Sequence, residues 1–271
     1  MLAEPAGKLT VAPVELTTSR RAIVVLGASN VSRGLAQLAA TVRARTEAPG
    51  ELFVAAGHGR AYGVSSRVGP RRLPSILASG LWRALDREQV AQPLAILTDV
   101  GNELLYGLGV AAVAGGVREA ALRLADRGAT LVITGLPLAS IAGVGHVRYR
   151  LLRTLYVPGC LLSLAEIHDA SRWLDDELRA IATDTGATFL EQPGAWYGLD
   201  ALHVKRSRLD DLWANVGDAW GLPRVSSRPR ASLAEWAALG SRAAEVRSVA
   251  RVMRFTRQPV IERDRMRVWM Y

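Results

Sequence analysis

The sequence has a single cysteine, Cys160, among 271 residues. One thiol forms no intramolecular disulfide, so a disulfide framework and a metal site of several cysteines are both excluded. This cysteine count favours a reduced, intracellular setting. No run reaches about 18 uninterrupted apolar residues, the length that spans a bilayer, so we predict no transmembrane helix.

The beginning of the chain also lacks the features of a secretory leader. Residues 1–20 carry Glu4, Lys8 and Glu15 and contain no continuous apolar core. We therefore expect a soluble, cytoplasmic protein.

The net charge of +9 is unevenly distributed. Residues 222–271 hold eleven arginines against four acidic residues and no lysine, which places +7 in this stretch. A basic segment binds nucleic acid, anionic lipid or an acidic partner in some proteins. Because this one lacks an aromatic-interleaved RNA motif, we expect no nucleic-acid partner. Instead we predict an ordered Arg-rich extension that packs on the domain or on another subunit, and so offers a route to a homo-oligomer.

Short apolar runs alternate with segments of helical periodicity along the first 221 residues. Each apolar run has the length and β-branched content of a buried strand. The predicted strands are 21–27, 52–56, 93–100, 129–135 and 186–192. The predicted helices are 31–46, 73–88, 110–127, 163–185 and 205–220, with a capping box of Ser163 and Glu166 at the start of the fourth.

Five strands that alternate with helices predict a three-layer α/β/α doubly wound sandwich around a five-stranded, mostly parallel sheet. We assign 1–221 to this domain and 222–271 to the C-terminal extension. The less regular stretch 138–162 is predicted to be an insertion with one short helix that can act as a lid. The last residues, 265–271, alternate like a strand that pairs with a sheet edge.

In such sheets ligands bind at the carboxyl ends of the strands. Four loops at that edge carry polar or glycine-rich sequences. They read GAS at 27–29, GHGRAYG at 57–63, VGNE at 100–103 and DALH at 200–203.

Those loops supply what ester hydrolysis needs. A serine hydroxyl requires a base to take its proton, and a histidine serves when a carboxylate fixes its tautomer. Hydrogen-bond donors must face the developing oxyanion, and a helix N-terminus, a glycine amide and an asparagine side chain are all suitable. Ser29, Asn102 and the pair Asp200 and His203 provide these groups at strand ends.

The order and spacing of the four loops resemble the SGNH, or GDSL-type, hydrolases over about 180 residues. The resemblance implies a flavodoxin-like fold with Ser29 as nucleophile, His203 as general base and Asp200 as its partner. It further implies an oxyanion hole of the Ser29 amide, the Gly59 amide and the Asn102 side chain, with no metal or organic cofactor.

This resemblance also leaves details open. Gly57 is the alternative to Gly59 as the second-block glycine. The sequence departs from the family pattern at Ala28 and Glu103, where the family has acidic aspartates. Neither position performs the chemical step in the family, but the loss of the first acid removes a carboxylate that braces the loop.

The expected function is that of a serine hydrolase whose small-molecule substrate is a small acyl ester or an acetylated carbohydrate. One alternative is an acyltransferase with the same triad, and another is a non-catalytic binding or scaffold module of the same fold. A nucleotide-binding Rossmann protein is a further alternative, because GASNVSRG at 27–34 follows a strand and opens a helix, although the spacing of its glycines does not fit. Arg148, Arg150 and Arg153 in the insertion either meet an anionic substrate or form a solvated helix face.

Overall fold

The computed structural model describes residues 20–157, 159–263 and 265–271. The segment 1–19, which carries most of the argument against a leader, lies outside them. The strands of the described residues are β1 (Arg21–Leu26), β2 (Gly50–Ala55), β3 (Ser66–Val68), β4 (Arg71–Leu73), β5 (Leu94–Leu97), β6 (Thr130–Thr134), β7 (Thr188–Leu190), β8 (Val246–Val249), β9 (Val252–Phe255), β10 (Ile261–Arg263) and β11 (Met266–Met270). The helices are α1 (Ser29–Arg45), α2 (Leu81–Arg87), α3 (Asn102–Leu105), α4 (Val110–Ala125), α5 (Leu138–Ala142), α6 (His146–Tyr156), α7 (Leu164–Thr185), α8 (Leu209–Ala219) and α9 (Leu233–Gly240).

The large sheet has the strand order β10-β11-β2-β1-β5-β6-β7. Its neighbouring strands pair in parallel, except for the antiparallel pair of β10 and β11 at one edge. The five strands predicted from the sequence are therefore confirmed as β1, β2, β5, β6 and β7. Because the chain reverses its direction of growth at β1, a ligand crevice is expected where the carboxyl ends of β1 and β5 separate.

Strand β1 lies in the middle of this sheet, and its side chains divide the core in two. Val24 and Leu26 pack in a cluster with α2, α4 and α7, whereas Ile23 and Val25 pack on the other face with α1 and α8. All four side chains are fully buried. A strand covered on both faces has no polar alternation, which explains its continuous apolar sequence. The three-layer α/β/α sandwich is thus confirmed.

The end of the chain adds two strands to this sheet, so the sheet has seven strands rather than the predicted five. The strand predicted at 265–271 is confirmed as β11, which pairs in parallel with β2 of the same chain. The rings of Trp269 and Phe53 stack with centroids 5.5 Å apart. Burial of these rings and the ladder of hydrogen bonds fix the end of the extension on the domain.

The predicted helix 73–88 is largely wrong. The chain forms a hairpin of β3 and β4, then an irregular stretch, and only Leu81–Arg87 is helical. Pro74 disfavours helical geometry at the residue before it. The amides of Ile76 and Leu77 also donate to the carbonyl oxygens of Ala61 and Tyr62, which ties this stretch to the 57–63 loop. The hairpin continues into a second sheet of order β3-β4-β8-β9 that joins it to the C-terminal extension.

The insertion 138–162 holds two helices, α5 and α6, instead of the single short one predicted. Gly143 and Gly145 separate them. The capping box predicted at Ser163 is confirmed, with Glu166 bonded to the Ser163 amide and the Ser163 hydroxyl accepting from the Glu166 amide. Within the described ranges, no helix combines the length and apolar character that a bilayer crossing requires.

Candidate active site

A single cavity of about 360 Å³ brings together the five site residues predicted from the sequence. Its lining includes Ser29, Gly59, Asn102, Asp200 and His203. The cavity lies where β1 and β5 end, at the edge of the sheet that the topology marks for a ligand. Its volume is within the range of small-molecule sites.

Ser29 is the first residue of α1, and its hydroxyl does not cap the helix. The N-cap position is Ala28, which has no side chain able to cap. Asp99 at the end of β5 takes that role, because its Oδ2 accepts from the amides of Ala28 (2.9 Å), Asn30 (2.8 Å) and Val31 (3.2 Å). The carboxylate also offsets the positive end of the helix dipole. Ala28 stands where the family pattern has an aspartate, so this loop has no carboxylate of its own. Asp99 supplies a carboxylate from another strand end and thereby braces the loop.

The side chain of Asn30 links the serine loop to the histidine loop. Its Nδ2 donates to Leu202 O (3.0 Å), and its Oδ1 accepts from the Val204 amide (2.9 Å). The same Nδ2 also donates to Asp99 Oδ1 (2.8 Å). The residues on either side of His203 are therefore held by the residue that follows Ser29.

Asp200 and His203 form a direct pair. The Oδ2 atom of Asp200 lies 2.7 Å from Nδ1 of His203, and Oδ1 accepts from the backbone amides of His203 and Leu202. Burial alone would raise the pKa of Asp200, but the hydrogen bonds from His203 and Leu202 lower it to about 2. An ionised carboxylate only accepts hydrogen bonds. Nδ1 therefore carries the imidazole proton, and Nε2 is left as the basic atom.

The 57–63 loop presents Gly59 to the cavity with a left-handed backbone, φ +66°. The hydroxyl of Tyr106 donates to Gly59 O (2.7 Å), and burial raises the pKa of this tyrosine to about 12, so it stays a donor. A Cβ at position 59 would lie 2.6 Å from that hydroxyl oxygen and 2.8 Å from Val68 Cγ2. Only glycine fits both the conformation and the space.

Asn102 begins α3, and its amide nitrogen has only long contacts. Nδ2 lies 3.4 Å from the carbonyl oxygens of Arg60 and Asp99, beyond the usual range for such bonds. These contacts orient the amide without holding it tightly, so its protons are available to a better acceptor in the cavity. Gly101, with φ +110°, supplies the left-handed turn that places Asn102 there.

Arg60 connects this loop to the end of the chain. It is almost fully buried, and its Nη1 donates to Ala56 O and to Tyr271 O. Burial, with repulsion from Arg71, lowers the pKa of Arg60 to about 9. The strand that the extension adds to the sheet therefore supports the loop that carries Gly59.

Glu103, where the family pattern has aspartate, is not among the residues that line the cavity. It is buried, and its Oε1 accepts from the Tyr62 amide. Its Oε2 has no hydrogen-bond partner among the described residues. Burial raises the pKa of this carboxyl, and hydrogen bonds from backbone amides offset part of that rise. Glu103 thus anchors the 57–63 loop and plays a structural part.

The remaining walls of the cavity are mostly apolar. They come from α3, from the segment after β6, from the insertion that carries α5 and α6, and from the start of α7, and they include Leu104, Leu136, Ile141, Val144, Leu152 and Ile167. The insertion therefore forms one side of the site. Such a surface accommodates hydrocarbon better than a polyhydroxylated ring.

Two residues that organise the site were not assigned a catalytic or bridging role from the sequence. Asp99 lies near the end of the predicted strand 93–100, and Asn30 is part of the loop sequence at 27–34. The position of Asn30 next to the predicted nucleophile is the one signal that could have drawn attention to it. Its partners are 172 and 174 residues away along the chain, where no spacing rule applies.

Comparisons with known proteins give structural likeness only. No family model matches the chain, and no curated protein does. The chain is similar to the psychrotrophic esterase EstA from Pseudoalteromonas sp., solved in a form inhibited by monoethylphosphonate, at 14% identity with a TM-score of 0.45 over 73% of this chain and 96% of that one. It is also similar to TesA, at 15% identity with a TM-score of 0.46 over 73% of this chain and 97% of that one.

Proposed function

We propose that the protein is a serine hydrolase that cleaves esters through an acyl-serine intermediate, with Ser29, His203 and Asp200 as its triad. The observation that carries this proposal is the Asp200–His203 pair, whose loop is bonded to the side chain of Asn30, the residue next to Ser29, at one cavity. An imidazole oriented by a carboxylate and a serine hydroxyl that does not cap its helix both support nucleophilic catalysis.

In the first half-reaction, Oγ of Ser29 attacks the ester carbonyl carbon while Nε2 of His203 takes the hydroxyl proton. The negative charge moves to the carbonyl oxygen, where the amides of Ser29 and Gly59 and Nδ2 of Asn102 donate hydrogen bonds. The tetrahedral intermediate collapses, and the alcohol leaves with the proton from His203. In the second half-reaction, water gives a proton to His203 and attacks the acyl carbon. The bond from that carbon to Oγ then breaks, the acid leaves, and His203 returns the proton to Oγ of Ser29.

The ionised Asp200 contributes to both halves. It holds the imidazole with Nε2 directed to accept a proton, and it stabilises the imidazolium that forms. Because the pKa of Asp200 is lowered to about 2, its charge persists across the neutral range. This mechanism requires no metal or organic cofactor.

The apolar walls favour an acyl ester over an acetylated carbohydrate as the substrate. Leu104, Leu136, Ile141 and Leu152 belong to the apolar side chains that make up most of the cavity lining. Polar groups buried there would lose their hydrogen bonds to water. We therefore assign the small-molecule substrate to the class of apolar acyl esters.

The alternative of a nucleotide-binding turn at 27–34 is disfavoured by the position of Asp99. A phosphate at the start of α1 would need the amides that Asp99 Oδ2 already occupies, and the two anions would repel each other.

Hydrolysis of p-nitrophenyl esters of increasing acyl length tests the proposal. Ser29→Ala should lower the rate by about 10³-fold or more, the scale of loss seen when a triad serine is removed. Ser32→Ala is the matched control, because Ser32 lies one turn further along α1 and bonds only to Ala28 O. Equal turnover by wild type and Ser29→Ala would contradict the hydrolase proposal. Hydrolysis of the acetyl ester alone would contradict the assignment of the acyl class.

A further inference from the structure

Helix α6 has apolar residues on two opposite faces. Tyr149, Leu152 and Arg153 line the cavity on its inner side. Val147, Leu151 and Leu155, here called the outer stripe, are 85%, 59% and 67% exposed. With about 100° per residue, the outer stripe occupies an arc of about 80° opposite the cavity face.

Three large apolar side chains in one exposed row differ from the isolated surface leucine that most proteins carry. An exposed row of this kind costs solubility unless another surface covers it. The outer stripe is therefore an interaction surface, and the charges around it indicate its partner.

The charged side chains of the insertion that carries the outer stripe are all positive. Residues 138–162 contain Arg148, Arg150 and Arg153 and no aspartate or glutamate. None of these arginines forms an ion pair with a carboxylate in the part of the chain that the structure describes. On the helix, Arg148 and Arg150 flank the outer stripe on its two sides. An apolar stripe between arginines is the pattern of a helix that lies in the interface of an anionic membrane.

The outer stripe also lies beside the proposed catalytic loop. Arg148 Nη2 donates to Gly198 O (3.3 Å), which joins the start of α6 to the loop that carries Asp200 and His203. Leu199 in that loop is 85% exposed and extends the apolar surface toward the site.

We propose that α6 docks on an anionic lipid surface, with the outer stripe inserted among the acyl chains and the exposed Arg150 at the lipid headgroups, while Arg148 holds the start of α6 to the loop of Asp200 and His203. Long arginine side chains reach the headgroup level while the apolar row is buried. Docking in this way places the apolar cavity next to a source of acyl compounds. The proposal concerns binding alone, and it stands whether or not Ser29 is catalytic.

Flotation with lipid vesicles tests this proposal on the full chain. One set of vesicles contains equal parts of phosphatidylglycerol and phosphatidylcholine, and the other contains phosphatidylcholine alone. The variant Leu151→Gln/Leu155→Gln removes the apolar row and keeps every charge. The control Leu122→Gln/Leu233→Gln changes two other exposed leucines, on α4 and α9, which are 43% and 88% exposed.

Wild type should float with the anionic vesicles and not with the neutral ones. The outer-stripe variant should lose at least about tenfold in apparent affinity, because two leucine side chains no longer enter the apolar phase. The control and Ser29→Ala should bind like wild type, so a failure of the hydrolase proposal leaves this result unaffected.

Three outcomes would overturn the proposal. Equal binding by wild type and the outer-stripe variant would mean that the overall positive charge alone adsorbs the protein. No binding of wild type to anionic vesicles would exclude a lipid partner. Dimers in light scattering that dissociate in the outer-stripe variant would assign the surface to a second copy of the chain.

Discussion

Replacing Asp99 should destabilise the fold more than any other single polar change near the site. Its Oδ2 accepts from the amides of Ala28, Asn30 and Val31, and its Oδ1 accepts from Asn30 Nδ2. A hydrogen bond to a charged group contributes about 1.5–3 kcal/mol, although three bonds that share one oxygen do not add fully. We expect Asp99→Ala to cost about 3–5 kcal/mol of unfolding free energy.

The variant Asp99→Asn distinguishes the contribution of the negative charge from that of the hydrogen bonds. Asparagine keeps one acceptor oxygen and tolerates the left-handed backbone of this position, φ +57°. Without the charge at the helix N-terminus, we expect a loss of about 1–2 kcal/mol.

Urea denaturation of the wild type and both Asp99 variants measures these losses, with an unchanged m-value as the check that only the native state is affected. Asp176→Asn is the control, since Asp176 is exposed on α7 and should change stability by less than about 0.5 kcal/mol. A cost below about 1 kcal/mol for Asp99→Ala would refute the capping role. Equal costs for alanine and asparagine would refute the contribution of the charge.

Three further predictions concern the site and its support. The pKa of Asp200 is lowered to about 2, so the stabilisation that it gives is complete above about pH 4 and is lost as the pH falls through about 2. Denaturation at stepwise pH should therefore show the difference in unfolding free energy between wild type and Asp200→Asn closing over that window. A difference that does not vary with pH would contradict the pair with His203. Burial raises the pKa of Glu103, so its ionised form opposes folding. In urea denaturation at pH 7, Glu103→Gln should be at least as stable as wild type, and its advantage in unfolding free energy should shrink toward pH 4. A large loss of stability at pH 7 would show that the charge is needed. Gly59→Ala clashes with Tyr106 and strains the loop, so ester turnover should fall at least about tenfold, and unchanged turnover would move the oxyanion donor elsewhere.

Much of the fold was predictable because the central strands are buried on both faces. Their continuous apolar runs, such as LAIL in β5, leave few alternatives to a parallel sheet with helices on both sides. The four loops at the strand ends followed from that topology. The hairpin at 66–73 was missed because its few residues pair with the distant strand β8, which no local pattern reveals.

The residues that support the site were less predictable, because they also depend on contacts between distant parts of the chain. Asp99 and Ala28 are 71 residues apart in the chain, and the fold alone brings the carboxylate to the helix N-terminus. The contact between Arg60 and Tyr271 likewise depends on β11 joining the sheet. Residue types at strand ends indicated the reacting groups, whereas the residues that hold them in place depend on tertiary contacts.

Covalent labelling with a fluorophosphonate tests the central claim most directly, because the probe reacts only with an activated serine. Peptide mapping by mass spectrometry should find the label on Ser29, and His203→Ala should label far more slowly, although its serine is intact. Absence of label from the folded wild type, or label on another serine, would contradict the triad.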